Sequence, residues 1–202
     1  MKLTAIFIFF ALNACGQAKD KSSNVPFTDT TNKNQMTSEN LYPSLGNAST
    51  KAKLLMNEDW YYSPIDDMAP FGSDDAADTY TSFYNWRKNN KNGSPKTFVL
   101  SHFQYWNYPA LNLESTDYNS FKSFLEKKQL GTRLLFGIDA AIIATAFGQL
   151  YLEGKIDDDI NEFARKAITR ELLPEILNTW HELKPIRQKR LKDFTQILDA
   201  CR

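Results

Sequence analysis

The stretch Arg133–Glu153, RLLFGIDAAIIATAFGQLYLE, constrains the fold of this chain more than any other. Its apolar window, Leu134 to Leu152, approaches the roughly 20 residues that a membrane-spanning helix requires. Asp139, Thr145 and Gln149 interrupt that window. Gly137, Ala141, Ala144 and Gly148 recur at i, i+4, i+7 and i+11, one stripe of a helix along which a neighbour can approach closely. Leu135, Phe136, Ile138, Ile142, Ile143 and Phe147 cover other directions. A helix apolar nearly all round belongs inside a bundle. The stretch therefore predicts a central helix that other helices pack on, in preference to a membrane span. Asp139 is the one position on it that packing alone does not explain.

The flanking sequence supplies those other helices. Ser73 or Asp74 can cap a helix from about Asp74 to Asn90. Asp74, Asp75 and Asp78 fall in its first turns and Arg87, Lys88 and Lys91 at its other end, the distribution that the helix dipole favours. Ala76, Ala77, Tyr80, Phe83 and Tyr84 form its apolar side. Ser94-Pro95 is a good N-cap and first-turn pair, followed by Phe98, Val99, His102, Phe103 and Trp106 at helical spacing; a short strand over Thr97–Phe103 is the alternative there. Thr116 or Asp117 caps a helix to about Lys128, and Gly131 reads as its C-terminal stop. Gly154 is another stop and Asp157-Asp158-Asp159 another acidic start. Ile160, Phe163, Ala164, Ala167 and Ile168 make the next stripe, which Pro174 interrupts. Pro185 opens a last helix, with Leu191, Phe194, Ile197 and Leu198 inward and Arg187, Lys189, Arg190 and Lys192 towards water. The expected fold is an all-α bundle of roughly five to seven helices over residues 55–202.

The first residues carry a different message. Lys2 precedes an apolar run, Leu3 to Ala11, too short to span a bilayer as a stable helix. Leu12-Asn13-Ala14-Cys15 then resembles the lipobox of bacterial lipoproteins. The resemblance implies a signal peptide over 1–14, removal at Cys15, and diacylation of the Cys15 sulfur, which anchors the protein to a membrane through its lipid. Gly16 stands where some bacteria place the Asp of inner-membrane retention, which points to the outer membrane of the cell envelope. Residues 15–54 are rich in Ser, Thr, Asn and Lys and read as a flexible, lipidated tether. About 37 residues of such chain give an r.m.s. reach of about 30–40 Å. With Cys15 lipidated, Cys201 is the one thiol left.

Chemistry is sparse. Twenty-four Lys and Arg balance twenty-four Asp and Glu, so no basic excess points to nucleic acid. His181-Glu182 begins like a zinc-protease motif, but Pro185 stands where its second histidine belongs. Cys-x-x-Cys pairs, phosphate-binding and dinucleotide loops and the G-x-S-x-G elbow are missing, so no cofactor is expected. Asp66, Asp67, Asp74, Asp75 and Asp78 offer oxygens to a metal such as calcium, but without EF-hand spacing, and helix capping accounts for the same acids. Two candidates remain. Asp139 is an acid in an apolar helix, a group that either has a charge partner or a raised pKa. Trp60, Tyr61, Tyr62, Tyr105 and Trp106, with Tyr108, would form a protein- or glycan-binding surface if clustered and exposed.

The domain also resembles a family of small bacterial proteins of unknown function. Phe71-Gly72-Ser73-Asp74-Asp75-Ala76-Ala77-Asp78 is similar to that family's opening loop and helix. Asp139-Ala140-Ala141-Ile142-Ile143-Ala144 is similar to its alanine-rich middle helix, and Ala164-Arg165-Lys166-Ala167 and Trp180-His181-Glu182 to its end. A Trp-Gly-x-Gly lead-in is absent and the lipoprotein signal is an addition. The resemblance implies a compact helical domain and brings no catalytic residues. The expected function is a non-catalytic envelope module that binds a macromolecule, of immunity or inhibitor type. The alternatives are an envelope hydrolase with a cleft near Asp139 or His102, and a structural lipoprotein.

Overall fold

The computed structural model describes residues 42–127 and 131–202. The expected signal peptide, Cys15 and the expected tether as far as residue 41 lie outside the described residues. The described chain is all-helical: α1 (Thr50–Leu55), α2 (Asp74–Asn89), α3 (Pro95–Tyr105), α4 (Tyr118–Lys127), α5 (Gly131–Glu153), α6 (Asp158–Glu171), α7 (Pro174–Leu177) and α8 (Lys184–Asp199), with short 3-10 turns before and between them. Six of these have ten residues or more, so the expected bundle of five to seven helices is what forms.

Helix α5 is the interior helix. Sixteen of its 23 residues are buried. Its length and apolarity alone would allow a membrane crossing, but α1, α2, α3, α4 and α6 all pack on it, α2 and α6 most extensively. The small-residue stripe faces α2. A Cβ added at Gly148 would lie 3.1 Å from Tyr80 Cδ2 and 3.3 Å from Phe83 Cδ1, and one at Gly137 would lie 2.8 Å from Asp75 Oδ2. The absence of side chains there lets aromatic rings of α2 rest directly on the α5 backbone. Tyr80, Phe71 and Tyr151 then meet edge to face, at 5.1 to 6.3 Å between centroids, a geometry the ring quadrupoles favour.

Local signals explain most helix ends. Ser73 Oγ accepts from Ala76 N at 3.3 Å, and Ser94 Oγ accepts from Thr97 N at 3.1 Å while donating to Asp159 Oδ2 at 2.6 Å. Satisfying the free N–H groups this way favours the helix over the strand at residues 97–103. Arg87 closes the other end of α2: its Nη1 donates to the carbonyl oxygens of Asn90, Lys91 and Gly93 at 3.1, 3.2 and 2.6 Å. Gly154 takes φ +71° after α5, a conformation an L side chain resists.

Three expectations need correction. Gly131 does not stop a helix; it starts α5. A Cβ there would lie 2.8 Å from the Leu125 Cα and the Phe124 carbonyl oxygen, so the glycine permits a close approach between the start of α5 and the backbone of α4. The folded part also begins well before residue 55. Ser49 N donates to Tyr151 O at 2.8 Å, and Ser49 Oγ donates to Leu150 O at 2.7 Å. The first bond fills a carbonyl at the C-terminal end of α5, the second shares the Leu150 carbonyl with Gly154 N, and together they draw Ala48, Ala52 and Met56 into the core. Polar composition concealed this docking. The third correction concerns α8: Arg187 does not face water but is 4% exposed, and Arg190 pairs with Asp66 while its guanidinium lies 4.4 Å from the Trp60 ring centroid. Cys201, just past α8, is buried, and burial pushes its thiol pKa up.

Candidate functional site

Asp139 finds its partner on α6. Arg170 Nη2 donates to Asp139 Oδ1 at 2.5 Å, and Arg170 Nε donates to the same carboxylate at 3.1 and 3.3 Å. Arg170 Nη1 reaches across to the carbonyl oxygens of Leu113 and Ser115, at 2.5 and 3.2 Å. One guanidinium therefore ties α6 to α5 and to the irregular segment before α4. Asp139 is wholly buried. Burial pushes its carboxyl pKa up, and the Arg170 charge opposes that shift. The hydrogen bonds of this pair all run inside the protein, and the pair lines neither of the cavities described below.

The neighbouring residue starts a second buried pair. Glu171, fully buried, accepts from Arg187 Nε and Nη2 at 2.6 to 2.9 Å, while Arg187 Nη1 donates to the Met68 carbonyl at 3.1 Å. This pair does reach a cavity. A cleft of about 300 Å3 opens between the first turns of α2 and α5 and the turn carrying Trp180, with Glu171 and Arg187 among its lining residues. Along one side Asp75 accepts from both Arg133 and the Tyr108 hydroxyl. On the other, the Trp180 ring packs 5.4 Å from Phe136 and lies under the Arg187 guanidinium at 5.1 Å. The Trp180 Nε1 hydrogen is buried without a partner. The lining holds four carboxylates, from Asp67, Asp74, Asp75 and Glu171, against two guanidiniums, from Arg133 and Arg187. Asp75 and Glu171 are paired, which leaves Asp67 and Asp74, both exposed and in no ion pair among the described residues, as an acidic rim.

The turn that carries Trp180 is strained. His181, the next residue, has φ 47° and ψ −121°, a region open to glycine and costly for other residues. Replacing it measures that strain. His181→Gly is expected to raise stability by about 1 kcal/mol, the relief of strain less the added flexibility of the unfolded chain; a lower melting temperature in this variant would show that the turn is held by the side chain itself.

Both histidines lack a carboxylate partner among the described residues. His102 is buried between Phe98 and Trp106, at 5.4 and 4.0 Å between ring centroids. Burial lowers its pKa, and its Nε2 has no hydrogen-bond partner. Burial thus favours the neutral form of the ring, with the Asp78 charge opposing. Among the described residues no three His, Cys, Asp or Glu side chains are placed to hold a metal ion; Asp66 and Asp75 are already bound to arginines.

Matched against protein families, curated proteins and solved structures, the chain has no counterpart in any of the three. The resemblances in the sequence thus rest on their own residues.

The aromatic set divides. Tyr61 and Tyr62 are core residues; Trp60 stacks on Tyr61 at 3.8 Å and on Phe194 at 5.8 Å. Tyr62 donates its hydroxyl to the Met56 carbonyl at 2.9 Å. Trp106 packs on His102 and Tyr108 and, like Trp60, is half-buried, whereas Tyr105 is 81% exposed. No ring contact joins the first group to the second. The residues that do converge on the cleft, Arg133, Glu171, Trp180 and Arg187, were not singled out from sequence as a site. A signal existed for two of them: Arg187 stands four residues before Leu191 and Glu171 three after Ile168, each on an apolar stripe.

Proposed function

We propose that the protein is a lipid-anchored envelope module that binds another macromolecule, in the manner of an immunity or inhibitor protein, and performs no chemistry of its own. Anchoring is supported by the leader and the Leu12-Asn13-Ala14-Cys15 box, with the lipid on Cys15 attaching it to the membrane. Binding is supported by one observation, the cleft whose rim acids Asp67 and Asp74 form no ion pair among the described residues and stand beside the Trp180 and Phe136 rings. Such a site suits a basic side chain of a partner protein, whose alkyl stem can lie on the rings while its charge meets the rim.

The two halves are tested together in cells. Cys15→Ser is expected to leave the protein unacylated and in the soluble fraction; normal membrane retention of that variant would sink the anchoring claim. A photo-crosslinking benzophenone side chain at Phe136 is expected to yield a defined adduct that Asp74→Lys abolishes, whereas the same probe at Tyr105 yields none. An adduct indifferent to Asp74→Lys, or one formed only from Tyr105, would move the binding surface away from the cleft.

A further inference from the structure

A second cavity, of about 400 Å3, lies where α2 and α5 end, and it shares no lining residue with the cleft. Tyr84, Tyr151 and Leu152 give it apolar walls. Arg87, Lys88 and Lys91 bring three positive charges, and Glu153 is its one acid. Lys88 Nζ lies 4.0 Å from the Tyr84 ring centroid.

Two donors in this lining are left without partners. Tyr84 is 3% exposed and Arg87 8%, and among the described residues neither the Tyr84 hydroxyl nor Arg87 Nη2 makes a hydrogen bond. The rest of Arg87 is accounted for. Nη1 holds the end of α2, and Nε lies 2.6 Å from Glu153 Oε1, an ion pair without hydrogen-bond alignment. The other oxygen of Glu153, Oε2, accepts from Gln149 Nε2 at 3.1 Å. A buried polar group without a partner is costly, more so when charged, so such groups are rare in a folded core. A guanidinium nitrogen can only donate. What would satisfy both groups is an acceptor, and three cations against one acid select a negative one. The cavity is also within the size range of small-molecule sites, and its tyrosine and leucine walls suit a flat apolar body.

We propose that this cavity binds a small organic oxyanion, with its carboxylate or phosphate head held by the Tyr84 hydroxyl and Arg87 Nη2 and its aromatic body against Tyr84, Tyr151 and Leu152. Lys88 and Lys91, both exposed, raise the local concentration of anions at the mouth. This site is independent of the cleft and of the partner proposed for it.

Calorimetric titration of the full chain with benzoate, phenyl phosphate and the neutral benzamide tests this. At least one of the two anions is expected to bind about tenfold or more tightly than benzamide, the effect of one hydrogen bond to a charged group. Which anion is preferred identifies the head. Tyr84→Phe keeps the ring and removes an unpartnered hydroxyl, so the fold is expected to persist, with the preferred anion binding about tenfold more weakly and benzamide unchanged. Lys88→Gln, at an exposed position, is expected to weaken the anion by a few-fold and flatten its salt dependence. If neither anion binds more tightly than benzamide, or if Tyr84→Phe binds the preferred anion as the parent chain does, the proposal is overturned.

Discussion

Asp139→Asn is expected to destabilise the domain by about 3–5 kcal/mol, the usual cost of removing one partner of a buried ion pair. The side chain keeps its shape, but Arg170 keeps a charge that it cannot lose at a position closed to solvent. Arg170 itself is 1% exposed. Arg170→Met is expected to cost less. There the stranded group is a carboxyl, and burial already pushes Asp139 up, so it can take a proton and become neutral. The sign of the pH dependence follows. In Arg170→Met the folded-state pKa of Asp139 lies above its unfolded value, so the folded state holds the extra proton. The variant is then most stable below the unfolded pKa and loses stability as pH rises through the folded one. Urea unfolding of both variants across that range reads the difference. Equal costs, or a deficit in Arg170→Met that shrinks as pH rises, would mean that the pair is not the buried charged contact described. A pairwise replacement, Asp139→Leu with Arg170→Met, is expected to be milder than Asp139→Asn alone, because it leaves no buried charge behind.

That asymmetry also bears on function. Asp139 is joined to a guanidinium whose other hydrogens hold two backbone carbonyls, so its role is to fix α6 and the segment before α4 against α5. Crosslinking at Phe136 is therefore expected to survive in whatever fraction of Asp139→Asn remains folded.

Much of the bundle is legible in the sequence because each helix carries its own punctuation. Ser73, Ser94 and Gly154 mark ends by chemistry that acts within three or four residues, and the expected and observed limits of α2 differ by one residue. The central helix is legible for a related reason: a segment apolar on all sides has one stable place in a soluble bundle. The cleft is less legible. Its pieces come from α2, α5, α6, α8 and the Trp180 turn, and each piece has an ordinary local reading. Arg187 looks like one more cation of a basic helix until its position on the Leu191–Phe194–Leu198 stripe is noticed. Glu171 follows Arg170 at the end of a stripe, so two adjacent charges enter the core in different directions, towards Asp139 and Arg187. Partner choice of that kind depends on tertiary placement, which periodicity does not encode. The docking of Ser49 on α5 was hidden for another reason: its apolar residues are scattered through a polar segment, and its bonds go to backbone groups that sequence does not distinguish.

Gly148→Leu is expected to have the other large effect, a loss of about 3 kcal/mol or more from overpacking. Tyr80 and Phe83, the rings that a Cβ at Gly148 would press upon, are 1% and 0% exposed. Neither has free space to retreat into. Gly148→Ala needs the Tyr80 ring to yield only a few tenths of an ångström, and alanine recovers up to about 1 kcal/mol of helix propensity, so that variant is expected to stay close to the parent. Leucine adds branched carbons beyond the Cβ, which only a separation of α2 from α5 would accommodate. Gly137 sets the contrast. The atom its Cβ would meet is the end of the Asp75 side chain, which can swing aside. Gly137→Ala is thus expected to change stability by no more than about 1 kcal/mol while pulling Asp75 from Arg133 and Tyr108, and so to weaken the Phe136 crosslink. Urea unfolding with near-ultraviolet circular dichroism separates the two. If Gly148→Leu cost less than Gly137→Ala, the close approach of α2 would belong to the cleft end of the stripe, and the Tyr80–Tyr151 contacts would not be what holds α2 on the central helix.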